Sequence, residues 1–299
     1  MDGAVPALWA SLGLPGVIDA HVHFMPDRVL RKVWAYFDAA GPLTGQEWPI
    51  RYRWPEEQRL ERLRAMGVRA FPSLVYPHKP DMARWLNDWA AEFATKHDDV
   101  IPTATFFPEP DAAAYVEEAV RRGARVFKAH VQVGGYDPRD PLLNRVWGVL
   151  ADAGVPVVVH AGSGPAPGAH TGPGPFGDVL QRHPSLTAVI AHMGMPEYDD
   201  FLGFAERFDN VHVDTTMCFT DSFGSQEDLG RRLAPRLAAL REKVLLGTDF
   251  PNIPHAYAHQ LEVLVRLDLG DDWLRDVCWG NGARLFGDRG GESESPLRG

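Results

Sequence analysis

Two histidines stand two residues apart near the N-terminus, in the stretch VIDAHVHF that spans residues 17–24. Side chains two apart in an extended strand lie on the same face, so Asp19, His21 and His23 are expected to point the same way. The two imidazoles are then close enough for their ring nitrogens to bind one metal ion. Neutral histidines in a packed core would show the same spacing, so the rest of the chain has to distinguish the two interpretations.

Histidine and aspartate also end other apolar runs. His160 ends VPVVVH, His192 ends TAVIAH and Asp249 ends VLLGTD. The carboxyl ends of parallel strands in a barrel form one mouth where catalytic residues gather, so several polar strand ends together favour one shared site. Imidazole with carboxylate suits Zn, Mn, Fe or Ni better than Ca or Mg. With one coordination position left open, such a site lowers the pKa of a water to about 7 on zinc and supplies hydroxide.

The elements that would position these residues alternate between short apolar runs and longer amphipathic segments. Eight strand and helix units close a (β/α)8 TIM barrel, and this α/β fold is the predicted one. The predicted strands are Val17–His23, Val68–Leu74, Val100–Phe106, Arg125–Val131, Val155–His160, Thr187–His192, Asn210–Asp214 and Lys243–Asp249. The predicted helices are Pro55–Met66, Asp81–Lys96, Asp111–Arg122, Pro141–Ala153, Phe176–Arg182, Glu197–Arg207, Gln226–Leu240, Tyr257–Leu267 and a C-terminal helix, Asp271–Leu285.

The loop after the first strand, residues 25–54, is longer than a plain barrel needs. One interpretation is a lid whose aromatic residues line a cavity and whose Arg51 and Arg53 hold a substrate carboxylate. The other is a helical insertion with its own aromatic core. We predict a single domain over residues 1–287 and a disordered tail over residues 288–299, which are polar. The aromatic residues of the loop are Trp34, Tyr36, Phe37, Trp48, Tyr52 and Trp54.

Composition excludes several classes of protein. The formal charge of −10, from 30 basic and 40 acidic residues, argues against a nucleic-acid partner. Cys218 and Cys278 have no metal-ligand spacing, which indicates a reducing cytoplasm rather than a disulfide framework. No apolar run is long enough to cross a membrane, and the N-terminus lacks a signal-peptide pattern. A small molecule is the expected substrate.

Five segments together resemble the amidohydrolase superfamily: VIDAHVHF, VPVVVHAGSGP, AVIAHMG, VLLGTDFPN and WGNGARLFG. They are most similar to its amidohydrolase-related branch, which includes predicted metal-dependent TIM-barrel hydrolases and proteins like aminocarboxymuconate-semialdehyde decarboxylase. The resemblance implies one divalent transition metal, with zinc the first expectation, and His21, His23, His160 and Asp249 as its ligands. It implies that His192 orients or deprotonates the water or stabilises substrate charge, with Asp249 as the other proton shuttle. Dimers are common among such relatives, so a homodimer is compatible with it.

The segment RVFKAHVQ leaves the number of metals open. Lys128 and His130 share the face of the fourth strand that is expected to point inward. In binuclear members of the superfamily a carboxylated lysine on this strand bridges two metals. The narrower branch usually has one metal, and there Lys128 and His130 would contact substrate or support the site. Glu109 and Asp214 also fall at the mouth, where they could contact substrate, although Asp214 could equally cap the following loop.

Three functions fit these features. A metal-dependent hydrolase would attack an amide, ester or lactone. A non-oxidative decarboxylase, a carbon–carbon lyase, would use the same site to release carbon dioxide from a small carboxylic acid. A barrel that binds metal without catalysis is the third, although every ligand position that the resemblance implies is filled. We expect the hydrolase.

Overall fold

The computed structural model describes residues 2–39, 41, 47–222 and 226–287. The predicted tail at 288–299 and a part of the predicted insertion at 25–54 lie outside these residues. Short parallel strands alternate with helices along the described chain. The strands are β1 (Val17–Ile18), β2 (Val68–Pro72), β3 (Val100–Ile101), β4 (Thr103–Thr105), β5 (Val126–His130), β6 (Val157–His160), β7 (Ala188–Ile190), β8 (Val211–Asp214) and β9 (Val244–Leu245).

The helices of the described residues cover the outside of the strands. Most begin and end within a few residues of the predicted bounds. The helix Val5–Ser11 was not predicted, and Asp27–Ala39 agrees with the helical insertion that was one of two interpretations of residues 25–54. The predicted C-terminal helix is divided by a wider turn at Asp276–Gly280. The other α-helices are Glu56–Ala65, Ala83–Lys96, Ala112–Arg121, Val131–Gly134, Pro141–Ala153, Pro173–Arg182, Tyr198–Arg207, Glu227–Ala239, Tyr257–Arg266, Asp271–Arg275 and Asn281–Phe286.

All strand pairs are parallel, and the strands follow one another in chain order through two sheets, β1 to β3 and β4 to β9. The predicted third strand is split at Pro102 into β3 and β4. Proline has no backbone N–H for a ladder, but the Pro102 carbonyl still accepts a hydrogen bond of 2.8 Å from the Arg125 N–H. The third barrel strand therefore links the two sheets along the chain.

Backbone hydrogen bonds connect the first and last strands beyond their regular ends. The Ala20 N–H donates to the Leu246 carbonyl at 2.7 Å, and the Asp249 N–H donates to the His21 carbonyl at 2.9 Å. Val22 forms a parallel bridge with Phe250. These contacts bring the predicted first and eighth units side by side, and the predicted α/β barrel architecture is confirmed.

The barrel interior and the layer beneath the helices are distinct apolar clusters. Inward side chains from most strands, among them Ile18, Val126 and Val158, form a small buried cluster. Phe286 of the last helix is 5% exposed and packs into the same cluster. A Cβ on Gly282 would lie only 2.8 Å from Ile18, so the helix backbone sits directly against the first strand. The larger apolar cluster lies between the strands and the outer helices.

No helix among the described residues is long and apolar enough to span a membrane.

Truncating Phe286 tests whether the last helix closes the barrel interior. We expect Phe286→Ala to lower the free energy of unfolding by about 3 to 5 kcal/mol, because a buried aromatic side chain is replaced by a cavity. Leu142→Ala is the control, since Leu142 is 42% exposed and should change stability by about 0.5 kcal/mol or less. Urea unfolding measures both. A loss below about 1 kcal/mol for Phe286→Ala would contradict this packing.

Candidate functional site

The seam between the first and last strands positions the two histidines of VIDAHVHF. The chain leaves β1 after Ile18 and bends at Ala20, so the predicted regular alternation through His23 is interrupted. The His23 N–H donates to the Phe250 carbonyl at 2.7 Å. Asp249, held on the opposite side of the seam, has a φ of 71°, a left-handed conformation that few non-glycine residues adopt. The seam therefore brings three of the predicted ligands to one place.

Hydrogen bonds fix the ring nitrogens that His21 and His23 offer to the cavity. His23 Nδ1 donates to the Leu74 carbonyl at 2.7 Å, since a carbonyl oxygen only accepts. His21 Nδ1 donates to the Asp214 carboxylate at 2.8 Å. The Nε2 atoms of both rings are then the free ligand atoms, and they lie 2.9 Å (His23) and 3.7 Å (His21) from Asp249 Oδ1.

These three residues have the composition of a metal site. One ligand atom from each of His21, His23 and Asp249 lies within 4.8 Å of the others. Burial lowers the pKa of His21 to about 4, with the charge of Lys128 acting in the same direction, so its ring is neutral at pH 7. A neutral imidazole nitrogen beside a carboxylate oxygen is an arrangement that a divalent cation stabilises. The residues therefore fit a transition metal, and they do not identify which one.

Asp214 connects the metal group to the next strands. Its carboxylate accepts hydrogen bonds from His21 Nδ1 and from the backbone N–H groups of His192 at 2.8 Å and Thr216 at 3.0 Å. Burial opposes ionisation of Asp214, but the hydrogen bonds that its carboxylate accepts from His21 and Thr216 outweigh burial and hold its pKa below the usual range. The two sequence interpretations for Asp214 were a substrate contact and a loop cap. In the structure it orients the ring of His21 and also caps the turn at Thr216.

His160 lies at the mouth but outside the group of three. Its Nε2 donates to the Gly164 carbonyl at 2.9 Å, which leaves Nδ1 as the atom that can bind a metal. The His160 ring stacks on that of His130 with 4.1 Å between centroids, and it lies 4.7 Å from that of His192. The structure thus gathers the predicted histidines at one mouth, with His160 beside the three convergent ligands.

His192 reaches the mouth through an unusual backbone conformation. The strand β7 ends at Ile190, and His192 and Met193 have φ values of 57° and 49°. This left-handed turn redirects the chain, so the His192 ring lies 5.1 Å from that of His21. His192 Nδ1 donates to the Thr216 carbonyl at 3.2 Å, and Nε2 is left as an acceptor. His192 is therefore arranged to accept a proton in the cavity.

Lys128 is fully buried on β5 and its Nζ lies 3.2 Å from His21 Nε2. Burial lowers the pKa of Lys128 to about 8, although the charges of Asp214 and Asp249 oppose that effect. The amine thus lies next to His21, His23 and Asp249. Both sequence interpretations, a bridging lysine and a lysine that contacts substrate or supports the site, place it there. Carboxylation of Lys128 and a second metal stay predictions.

Of the other predicted substrate contacts, His130 lines the cavity, whereas Arg51, Arg53 and Glu109 do not. Arg51 and Arg53 are exposed and do not line it. Arg53 instead donates to Asp38 at 2.9 Å, because the helix Asp27–Ala39 passes beside it. Glu109 is buried and accepts hydrogen bonds from the Asp81 N–H at 2.8 Å and the Tyr115 hydroxyl at 3.0 Å. It supports a turn at the cavity rather than lining the cavity itself.

A cavity of about 1120 Å³ opens over the histidines. Of the aromatic residues predicted to form a lid, Tyr36, Phe37 and Trp48 line it, whereas Trp34, Tyr52 and Trp54 do not. The insertion is therefore both a helix and a wall of the cavity. Sequence analysis missed the following residues, which also line it: Arg28, Lys32, Tyr76, His78, Lys79, Trp85 and Asn252.

A sequence signal for part of this wall does exist. Positions 28, 32 and 36 of the stretch DRVLRKVWAYF recur every four residues, which places their side chains on one helix face. The two interpretations of residues 25–54, a lid and a helical insertion, do not assign this face of the helix to the cavity. The contribution of Tyr76, Lys79 and Trp85 depends on how β2 meets its following helix, which no local pattern specifies.

Comparison with solved structures identifies proteins of the same fold. A TIM-barrel protein from Bordetella bronchiseptica is 20% identical with a TM-score of 0.70, and the match covers 90% of this chain and 98% of that one. A 5-carboxyvanillate decarboxylase from Novosphingobium aromaticivorans with bound manganese is 15% identical with a TM-score of 0.65, covering 93% and 98%. A probable 2-pyrone-4,6-dicarboxylic acid hydrolase from Acinetobacter baumannii is 13% identical with a TM-score of 0.61, covering 91% and 100%.

The sequence comparisons are more specific about family than about activity. No functionally curated protein matches the chain significantly. The sequence profile of the family described as Amidohydrolase matches residues 18–287, which include every predicted metal ligand and all of the strands except Val17 at the start of β1. Two of these structural neighbours are a decarboxylase and a probable hydrolase. The chain belongs to the amidohydrolase family.

Proposed function

We propose that the protein is a metal-dependent hydrolase that acts on a small organic ester, lactone or amide. The observation that carries the proposal is the convergence of His21, His23 and Asp249 ligand atoms within 4.8 Å of one another. This group lies in a cavity of about 1120 Å³, large enough for a small organic substrate. The two cysteines are buried and free, and we take the cytoplasm as the place of action.

In this proposal His21, His23 and Asp249 hold one divalent metal, and His160 adds Nδ1 as the fourth ligand. Such a metal supplies Lewis acidity, which polarises a substrate carbonyl and lowers the pKa of water. Zinc is the metal expected from the ligand types, and manganese is present in one structural neighbour. Asp214 and the Leu74 carbonyl keep both Nδ1 atoms protonated, so both Nε2 atoms stay available to the metal.

The remaining polar residues position and move protons. His192 Nε2 accepts a proton from the attacking water and returns it to the leaving group, since its Nδ1 is engaged with Thr216. Asp249 is 15% exposed and is the second group that can exchange a proton in the cavity. The aromatic side chains of Phe37, Trp48 and Tyr76 exclude water from the apolar part of the substrate.

A non-oxidative decarboxylase is the second candidate. The cavity wall is rich in aromatic residues, among them Tyr36, Phe37, Trp48 and Tyr76, and such a wall suits a planar acid. One structural neighbour is a decarboxylase of such an acid, 5-carboxyvanillate. The residues proposed above to hold the metal and to transfer protons would then hold the carboxylate near the metal and protonate the ring carbon.

A substrate panel distinguishes the two candidates. Metal-loaded protein is incubated with lactones, aryl esters and anilides, and separately with aromatic carboxylic acids. We expect each product to contain one added water molecule. We also expect His192→Asn to lower kcat by about 10²- to 10⁴-fold while the protein retains its metal. Release of carbon dioxide without any hydrolysis would contradict the hydrolase and support the decarboxylase. Equal turnover by His192→Asn would contradict the role of His192 in both.

Removing two ligands tests the metal. We expect elemental analysis of purified protein to give about one transition metal per chain, and His21→Ala/His23→Ala to lose it, because Asp249 and His160 cannot hold a metal alone. His78→Ala/His170→Ala is the matched control, since it also removes two imidazoles but none from the ligand set. Metal retained by the first variant, or lost equally from both, would show that the ligands are elsewhere.

Asp214→Asn tests orientation rather than ligation. The asparagine oxygen can still accept from the His192 and Thr216 N–H groups, so its amide NH₂ faces His21 Nδ1 and forces the His21 proton to Nε2. We expect metal affinity to fall about 10- to 100-fold. Glu109→Gln is the control, because Glu109 is also a buried carboxylate acceptor but touches no ligand. Unchanged affinity of Asp214→Asn in a metal titration would show that Asp214 does not fix the His21 tautomer.

A further inference from the structure

The entrance of the cavity carries a charge opposite to that of the whole protein. The chain has a formal charge of −10, yet Arg28, Lys32 and Lys79 all line the cavity. All three are exposed, so they lie at its solvent side. The acidic residues of the lining are Asp81 and the metal-group residue Asp249. Positive charge is therefore concentrated where a substrate enters, and a negatively charged molecule is attracted to that place.

Two of these cations come from different segments and approach the same imidazole. Lys32 lies on the helix Asp27–Ala39, and Lys79 follows β2. His78 lines the cavity together with both lysines, and burial followed by the charges of Lys79 and Lys32 lowers its pKa. Within the described residues, neither lysine forms an ion pair. Like charges held close together without an anion repel one another, and a bound anion would relieve that repulsion.

Arg28 is held in a defined orientation. Its guanidinium lies 4.0 Å from the centroid of the Trp85 ring, a stacking contact that fixes the plane of the group. The N–H donors of a stacked guanidinium stay free at its edge, where they match the two oxygens of a carboxylate. Arg28 also has no ion-pair partner among residues 2–39, 41, 47–222 and 226–287. It is therefore organised to bind an anion before one arrives.

The space between the cations and the metal group is apolar. Val29, Val33 and Phe37 extend from the helix that carries Arg28, and Tyr76 lies between that helix and His130. A flat apolar body fits against these side chains. A substrate with a reacting group at the histidines would extend along this wall and end at the entrance.

We propose that Arg28, Lys32 and Lys79 form an anion subsite that selects substrates with a carboxylate at the end remote from the reacting group. Arg28 is the main specificity residue, and the two lysines add attraction at longer range. The proposal rests on the proposed function only in placing the reacting group at the histidines.

Binding of two matched probes tests the subsite without requiring turnover. Full-length manganese-loaded protein is titrated calorimetrically with 4-carboxycinnamate, a dianion, and with cinnamate, which lacks the second carboxylate. We expect wild-type protein to bind the dianion more tightly than cinnamate. The variant Arg28→Ala/Lys32→Ala/Lys79→Ala should lower the affinity for the dianion by about tenfold or more at low salt. It should change the affinity for cinnamate by less than about twofold. Arg28→Lys should retain part of the preference.

Arg31→Ala is the matched control. Arg31 lies on the same helix, is 69% exposed and sits 3.9 Å from Asp27, but it does not line the cavity. It should leave both affinities unchanged. Equal wild-type affinity for the two probes, including no measurable binding of either, would overturn the subsite. An equal loss of affinity for both probes in the triple variant would also overturn it. Failure of the proposed function would show separately, as protein without metal or without turnover.

Discussion

The seam between the first and last strands is the constraint on which the candidate site depends. Here the Asp249 N–H donates to the His21 carbonyl and the His23 N–H donates to the Phe250 carbonyl, at 2.9 and 2.7 Å. These two backbone bonds join segments more than 200 residues apart in the chain, and they place a carboxylate between two imidazoles. A site built on hydrogen-bonded backbone is held more rigidly than one on free loops. Neither histidine can move away from Asp249 without breaking the barrel edge.

Asp214 extends this constraint to the next side of the mouth. One carboxylate accepts from the ring of His21 and from the backbone of His192, so both residues share one support. The low dielectric of the interior strengthens such shared hydrogen bonds. His21, His23, Asp249, His192 and the barrel backbone thus form one connected polar network beneath an aromatic cavity.

Sequence patterns predicted the barrel and gathered His21, His23, His160, His192 and Asp249 at one mouth, because strand ends of a parallel barrel share one edge. Patterns did not predict how His192 and Asp249 turn inward, since their left-handed backbone depends on tertiary contacts. The division of the third strand at Pro102 has a local cause instead, because proline has no N–H for the ladder. The guess of Arg51 and Arg53 as substrate contacts followed residue type alone. Two of the cations that line the cavity, Arg28 and Lys32, lie on the helix Asp27–Ala39 of the predicted insertion, and Lys79 follows β2.

The central claim is that one metal sits between His21, His23 and Asp249. Anomalous diffraction from a crystal of the manganese-loaded protein, measured near the manganese absorption edge, tests it most directly. The account predicts a single peak per chain within about 2.3 Å of His21 Nε2, His23 Nε2 and an Asp249 oxygen, with His160 as the fourth ligand. A peak away from these atoms, or two peaks bridged by Lys128, would contradict it.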